Sequence, residues 1–155
     1  MKLLDFVYFD AVIPQLTACD RDGAIAELIT ALAGTGMIKQ EQEIINSVIK
    51  RENEASTGIG KGIAVPHAKH SAIDKVIAAI GCKSEGMDFS SLDKQPVYSV
   101  ILLLSSADNA DNHLRAMESI FRCLQKDDFR KFLRQAQTVE QIKDVITEQD
   151  GNGSI

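Results

Sequence analysis

The sequence predicts an α/β fold, a single domain in which a mixed β-sheet is sandwiched between α-helices. Segments with apolar residues at helical spacing alternate along the chain with short apolar runs of strand length. One such run, Val97 to Ser105, is mostly β-branched or aliphatic, which is typical of a strand covered by helices on both faces. We therefore expect this run to form the centre of the sheet.

The composition limits the classes of function. The chain has 155 residues, the size of one domain, with 45% hydrophobic and 25% charged residues, as in soluble globular proteins. No apolar run approaches the roughly 20 residues that cross a bilayer, and residues 1–10 do not resemble a secretory signal. The net charge of −5 argues against a nucleic-acid groove. We expect a cytoplasmic protein that binds no nucleic acid and has no stable membrane insertion.

The first part of the chain is predicted to contain a strand or extended arm followed by two helices. The arm covers residues 1–17 and packs on the core. Helical spacing begins at residue 20, where Asp20 or Asp22 can cap a helix that ends near Gly34. A second helix covers residues 40–52 and carries acidic residues in its first turn.

The second part is predicted to contain strands and then three helices. Leu114 and Phe132 are expected on the buried sides of two of these helices. The three cysteines are odd in number and widely spaced, which favours free thiols. The predicted elements are strands over 76–82 and 97–105, a helix capped by Asp111 or Asn112, helices over 128–136 and 138–148, and a disordered tail over 150–155, which leaves 1–149 as the domain.

The chemistry is expected in residues 56–70, which have glycine at three alternate positions before a short apolar strand over 63–65. The strand is predicted to stop at Pro66, because proline has no N–H for a ladder. His67 would then lie at a rigid strand end. A neutral imidazole there can act as a general base, metal ligand or phosphoryl carrier. An ordinary loop with a hydrogen-bonded surface histidine explains the pattern equally well.

The remaining histidines differ in their surroundings. His113 lies at a predicted helix start, where an anion between His67 and His113 would suit both rings and where the helix dipole should disfavour an imidazolium. Arg51 and Lys61 could add positive charge for such an anion. His70 lies in a polar segment, and we expect it to face solvent and to be dispensable.

Other kinds of site are less well supported. Arg51 and Glu52, each taken alone, are more typical of a solvated helix end. A zinc site could be assembled from the histidines and a cysteine, but the chain has no cysteine pair at ligand spacing. A Gly-x-Ser-x-Gly elbow and a P-loop are also lacking. We expect no metal and no cofactor.

The combination of short motifs resembles a known family, the enzyme IIA domain of the fructose–mannitol class of the bacterial phosphoenolpyruvate-dependent phosphotransferase system, including its nitrogen-regulatory branch. The resemblance spans nearly the whole chain. It is carried by Arg51-Glu52, by Ser56-Thr57-Gly58, by the run from Gly60 through Pro66-His67-Ala68, and by Asn112-His113-Leu114.

This resemblance implies a mixed sheet between helices and a phosphotransferase component that works through a phosphohistidine. His67 would accept a phosphoryl group from the phosphocarrier protein HPr. His113 would hydrogen-bond the phosphoryl oxygens, and Arg51 would help to hold the phosphate. The residues that would bind phosphate or support the site are completed by Thr57, Gly58 and Ala68.

Two outputs are implied for such a domain. In sugar transporters of this family the phosphoryl group passes to a cysteine of enzyme IIB. In the nitrogen-regulatory branch the phosphorylation state decides whether the domain docks on a target protein. The sequence as given carries neither a IIB nor a membrane domain, which favours the regulatory output, with the fructose/mannitol-type transporter component as the alternative.

Overall fold

The computed structural model describes residues 1–89 and 91–152, in which helices and strands alternate much as the sequence predicts. The helices are α1 (Arg21–Gly34), α2 (Glu41–Glu54), α3 (Ala110–Leu124), α4 (Asp127–Gln135) and α5 (Val139–Asn152). The strands are β1 (Gly58–Gly60), β2 (Ile63–Ala64), β3 (His67–His70), β4 (Ile77–Met87) and β5 (Val97–Ser106).

Strand β5 lies at the centre of a mixed sheet, as predicted. It pairs antiparallel with β4 along one edge and parallel with β2 and then β3 along the other, while β1 pairs antiparallel with β2. The strand over 63–65 stops before Pro66, as predicted: β2 ends at Ala64, and a separate strand that the sequence did not predict, β3, begins at His67. Proline removes only a donor, and the Pro66 carbonyl still accepts a hydrogen bond from the Leu103 amide at 3.0 Å, so the chain continues along β5.

Helices cover both faces of the sheet, which confirms the predicted α/β sandwich. One buried cluster joins α1 and α2 to one face, and a second joins α3, α4 and α5 to the other. The side chains of β5 alternate between the two clusters, with Leu102 and Leu104 in the first and Ile101 and Leu103 in the second. This alternation explains why a strand buried on both faces reads as a continuous apolar run.

The arm over residues 1–17 packs on the core but does not form a strand. It contains two short 3₁₀ helices, Leu3–Asp5 and Phe9–Ala11. Its strand-like pairing with β4 is limited to isolated bridges from Val7 and Ile13. Backbone groups that are hydrogen-bonded within the 3₁₀ turns are not available for a continuous ladder with β4. The prediction of an extended shape is therefore wrong.

The helix starts test the predicted caps. Asp20 caps α1, because its carboxylate accepts a hydrogen bond from the Gly23 amide at 2.8 Å. Helix α3 is capped by Asn109, whose side-chain oxygen accepts from the Asn112 amide at 3.2 Å. Asp111 and Asn112, which the sequence offered as caps, therefore lie inside the first turn.

Two apolar side chains predicted to be buried are exposed. Leu114 is 58% exposed and Phe132 is 47% exposed. The buried stripe of α3 begins at Ala116, and at about 100° per residue Leu114 lies about 200° from Ala116 around the helix. In α4 the buried positions are Phe129 and Leu133, so Phe132 lies beside the buried stripe and not within it.

The C-terminal helix extends further than predicted. Helix α5 runs to Asn152, so residues 150–152 are helical and do not belong to a disordered tail. The Asp150 carboxylate accepts hydrogen bonds from the amides of Leu3 (3.0 Å) and Leu4 (2.8 Å), which ties the last turns to the arm. The rest of the predicted tail, residues 153–155, lies outside the described residues.

Two further features bear on the predicted class of protein. Cys19, Cys82 and Cys123 are free thiols, as expected, with Cys19 exposed and the other two buried. Within residues 1–89 and 91–152, no helix combines the length and the apolar character that crossing a membrane requires.

Candidate functional site

His67 is the first residue of β3 and is held by the backbone just before it. Its Nδ1 lies 2.8 Å from the Val65 carbonyl oxygen. A carbonyl can only accept, so Nδ1 carries the proton and donates it, and the lone pair of the neutral ring is on Nε2. The Pro66 carbonyl is bonded to β5, so the residue between Val65 and His67 is also fixed. The Nε2 lone pair thus has a fixed direction.

His113 lies in the first turn of α3 and faces His67. The two ring centroids are 5.6 Å apart, with an interplanar angle of 51°. Nδ1 of His113 is hydrogen-bonded to the Ser105 hydroxyl, near the end of β5. The sequence placed these two histidines beside one another, and the structure brings them together. The backbone amide of His113 is already bonded to the Asn109 carbonyl at 3.4 Å, so this residue offers an anion its ring and not its own N–H.

Burial keeps both rings uncharged near pH 7. Desolvation lowers the pKa of His67 below its ordinary value of 6.5, and the Arg51 charge lowers it further, against the opposing effects of the Val65 hydrogen bond and Glu52. Desolvation also lowers the pKa of His113 to about 4, with smaller contributions from His67 and Lys69. The sequence predicted a disfavoured imidazolium at position 113, but attributed it to the helix dipole.

Arg51 and Glu52 lie in the last turn of α2, and their side chains differ in burial and in hydrogen-bond partners. Arg51 is half-buried, and its Nη1 donates to the Ala55 carbonyl at 3.1 Å. Glu52 is only 2% exposed, so a solvated helix end is the wrong description of this residue. Its carboxylate accepts hydrogen bonds from the Thr57 amide (2.6 Å) and hydroxyl (2.8 Å). This clasp closes the turn between α2 and β1, directly after the residues that carry Arg51.

The other predicted site residues occupy different positions. Thr57 is buried against Glu52. Gly58 packs so closely on Ser91 that a Cβ atom would lie 2.5 Å from the serine oxygen, which explains the need for glycine there. Ala68 packs against the α1–α2 side of the sheet, the opposite face from His67. Of these three residues, Thr57 is tied to the segment before His67, because its carbonyl accepts a hydrogen bond from the Val65 amide at 3.1 Å.

Lys69, which the sequence predictions did not name, lies close enough to both histidines for its charge to act on them. It lies two positions after His67 in β3, so the two side chains share a face of the strand. Its positive charge lowers the pKa of both His67 and His113. The alternation of a strand would have placed Lys69 beside His67, but no strand was predicted over residues 67–70.

His70 does not face solvent as predicted. Its side chain is 12% exposed, and Nε2 lies 3.6 Å from Oε1 of Glu43 on α2. Nδ1 accepts a hydrogen bond from the Ala72 amide at 2.9 Å, which holds the turn after β3. Among residues 1–89 and 91–152, no three histidine, cysteine or acidic side chains are grouped in a way that could hold a metal ion.

This arrangement suits a covalent reaction with an anion. His67 offers a neutral nucleophilic nitrogen, which can attack an electrophilic centre without prior loss of a proton. The neutral ring of His113 lies beside it, and the positive charges of Arg51 and Lys69 are close enough to lower its pKa. Positive charge and hydrogen-bond donors beside a nucleophile stabilise a transferring group that bears negative oxygens.

Comparisons with known proteins relate the chain to phosphotransferase-system components. The family model described as "Phosphoenolpyruvate-dependent sugar phosphotransferase system, EIIA 2" matches residues 6–149. The nitrogen regulatory protein of Bradyrhizobium diazoefficiens is 31% identical over 94% of this chain and 95% of its own length. The fructose-specific EIIABC component of Bacillus subtilis is 29% identical over 97% of this chain, and the chain spans 24% of that relative.

Solved structures share the fold. The nitrogen regulatory protein IIA-Ntr from Neisseria meningitidis superposes with a TM-score of 0.83 at 18% identity, covering 92% of this chain and 97% of the other. The enzyme IIA of mannitol from Escherichia coli, in complex with phosphorylated enzyme IIB, gives 0.76 at 18% identity, covering 90% and 95%. At this level of identity the similarity concerns the fold alone.

Proposed function

Because this chain belongs to the EIIA 2 family of the phosphoenolpyruvate-dependent sugar phosphotransferase system, we propose that His67 is its phosphoryl acceptor. The supporting observation is the hydrogen bond from His67 Nδ1 to the Val65 carbonyl, 2.8 Å long. It places the lone pair on Nε2, in a ring that burial keeps neutral near pH 7. A neutral, oriented imidazole nitrogen is what a phosphoryl acceptor requires.

The donor in this proposal is the phosphorylated form of HPr. His67 Nε2 attacks phosphorus, a new N–P bond forms there, and the N–P bond to the donor histidine breaks with its electron pair returning to that nitrogen. The Nδ1 proton of His67 stays on its hydrogen bond to Val65. Transfer between two nitrogens needs little more than positioning and charge stabilisation.

The residues around His67 serve the negative oxygens of the transferred group. His113 supplies a ring nitrogen on one side, with its centroid 5.6 Å from that of His67. Arg51 and Lys69 supply positive charge, which lowers the pKa of His67 now and would be compensated when a phosphoryl group adds roughly −1.5 to −2 charge. Thr57 and its partner Glu52 hold the turn that follows Arg51 at the end of α2.

The regulatory output is the one we propose for the phosphorylated domain. The match to the nitrogen regulatory relative covers 94% of this chain and 95% of that relative. Docking on a target protein would then depend on the charge state of His67. Transfer to a IIB cysteine is the alternative, and the fructose-specific relative favours it. An assay of transfer from the phosphorylated domain to purified fructose- or mannitol-type IIB proteins separates the two outputs.

The test of the acceptor is incubation with phosphoenolpyruvate, enzyme I and HPr, followed by intact mass measurement. We expect one added phosphoryl group that is labile in acid and stable in base, as a phosphoramidate should be. His67→Ala should abolish labelling, while the matched variant His70→Ala should be labelled normally, because His70 is engaged with Ala72 and Glu43. Labelling that persists in His67→Ala, or none in the wild type, overturns the proposal.

A further inference from the structure

We propose that Ser105 is a positioning residue that sets the tautomer of His113, so that the His113 Nε2 carries a proton and donates it as a hydrogen bond to the phosphoryl group on His67. This inference rests on the proposed function for its role in transfer. The placement of the ring proton itself does not depend on it.

The first observation is the place of Ser105 in the fold. It is completely buried, near the end of β5, and in the parallel register it lies opposite Lys69, while Leu103 lies opposite His67. Ser105 therefore shares the His67 face of the sheet, because paired residues of neighbouring strands point to the same side. In the described part of the chain, its hydroxyl has a single hydrogen-bond partner, Nδ1 of His113.

The second observation is the contrast between the two Nδ1 partners. The partner of His67 is a carbonyl, which can only accept, whereas the partner of His113 is a hydroxyl, which can also donate. A buried hydroxyl that has one neighbour is stabilised by giving its proton to that neighbour. When Ser105 donates to Nδ1, the proton of the neutral His113 ring lies on Nε2.

The result is a complementary pair. His67 presents a lone pair at Nε2 and His113 presents an N–H at Nε2, although both rings are neutral imidazoles of the same residue type. In the described part of the chain, neither Nε2 has a recorded hydrogen-bond partner. During transfer the new N–P bond forms at His67, and His113 keeps its proton while it donates to a phosphoryl oxygen. With the other tautomer, His113 would direct a lone pair at the negative oxygens and oppose transfer.

The direct test is the ¹⁵N chemical shifts of the imidazole rings in the unphosphorylated protein at pH 7.5. We expect His113 to be protonated at Nε2 and His67 at Nδ1. In Ser105→Ala the His113 shifts should move toward a mixture of tautomers. The matched control is Ser99→Ala, because Ser99 is also buried in β5, with its hydroxyl 3.9 Å from the Cys82 sulfur. Protonation of wild-type His113 at Nδ1, or unchanged shifts in Ser105→Ala, overturns the proposal.

The kinetic test is single-turnover phosphorylation by phosphorylated HPr. Ser105→Ala should be roughly tenfold slower, the loss expected when one hydrogen bond to a charged group is weakened. Ser99→Ala should keep the wild-type rate, and Ser105→Thr, which keeps the hydroxyl, should recover much of the loss. A dispersed amide spectrum verifies that each variant folds. A wild-type rate in folded Ser105→Ala overturns the assigned role.

The two tests separate this inference from the proposed function. If the wild-type protein is never phosphorylated, the proposed function fails, and the tautomer measurement still decides the placement of the proton. If the wild type is phosphorylated on His67 but the His113 proton lies on Nδ1, the proposed function holds and the role of Ser105 is wrong.

Discussion

Glu52→Ala tests whether the buried clasp between α2 and β1 holds the site together. The Glu52 carboxylate is 2% exposed and accepts hydrogen bonds from the Thr57 amide at 2.6 Å and the Thr57 hydroxyl at 2.8 Å. Thr57 itself is 6% exposed. Truncation of Glu52 would leave both Thr57 donors without their acceptor in a place that water reaches poorly.

The magnitude follows from these two donors. A buried donor that loses its partner costs about 1–3 kcal/mol, so two give about 2–6 kcal/mol before the chain relaxes. Local rearrangement and entry of water reduce the loss, and we expect about 2–4 kcal/mol. That is a large part of the roughly 5–15 kcal/mol by which domains of this size are stable. The unfolding midpoint should fall by about 5–15 °C.

The measurement is urea unfolding for the free energy and thermal unfolding for the midpoint temperature, both followed by far-ultraviolet circular dichroism. Glu54→Ala is the matched control, because Glu54 lies in the same last turn of α2 and is exposed. A double-mutant cycle with Thr57→Val isolates the hydroxyl part of the interaction. The reasoning is refuted if Glu52→Ala loses no more stability than Glu54→Ala, since the carboxylate would then be replaceable by water.

Four further predictions concern the histidines. His113→Ala should fold normally but be phosphorylated about ten- to a hundredfold more slowly, and His113→Gln, which keeps a donor, should recover part of the rate. His70→Ala should be phosphorylated at a near-normal rate but lose about 1–2 kcal/mol of stability, because the Ala72 amide loses its acceptor. The phosphorylation rate should stay flat from pH 8 down to about 6.5 and decline only at lower pH, because burial lowers the pKa of His67 below its ordinary value. Stability should also decline below about pH 6.5, since the unfolded chain binds protons that the folded His67 and His113 refuse, and for His113 the loss continues to about pH 4.

Each of these predictions has an outcome that contradicts it; for stability, that outcome is a free energy of unfolding that does not fall between about pH 6.5 and pH 4. A wild-type rate in His113→Ala, or phosphate mapped to His113, would reverse the roles of the two rings. A loss of phosphorylation in His70→Ala as large as that in His67→Ala would place His70 in the site. A rate that already declines between pH 8 and pH 7 would mean that His67 titrates above its ordinary range, against the effect of burial.

The sequence by itself determined the fold class, most of the helices and the central strand. These features depend on local patterns: the period of apolar residues in α1 and α2, the continuous apolar run of β5, and a capping carboxylate at Asp20. It also pointed to His67 and His113, because a proline-preceded histidine and a histidine at a helix start are both readable along the chain. The family resemblance rested on the same residues.

Tertiary structure alone decided which partners these residues have. The sequence could not show that pairing with β5 resumes in β3 directly after Pro66, since that depends on the Leu103 amide meeting the proline carbonyl. For this reason Lys69 was not placed on the same face as His67. The burial of Glu52 depends on the fold of a turn five residues later in the chain. The hydroxyl of Ser105 and the ring of His113 meet only because β5 ends beneath the first turn of α3. Hydrogen-bond partners are chosen by three-dimensional proximity, and no local pattern in the sequence encodes it.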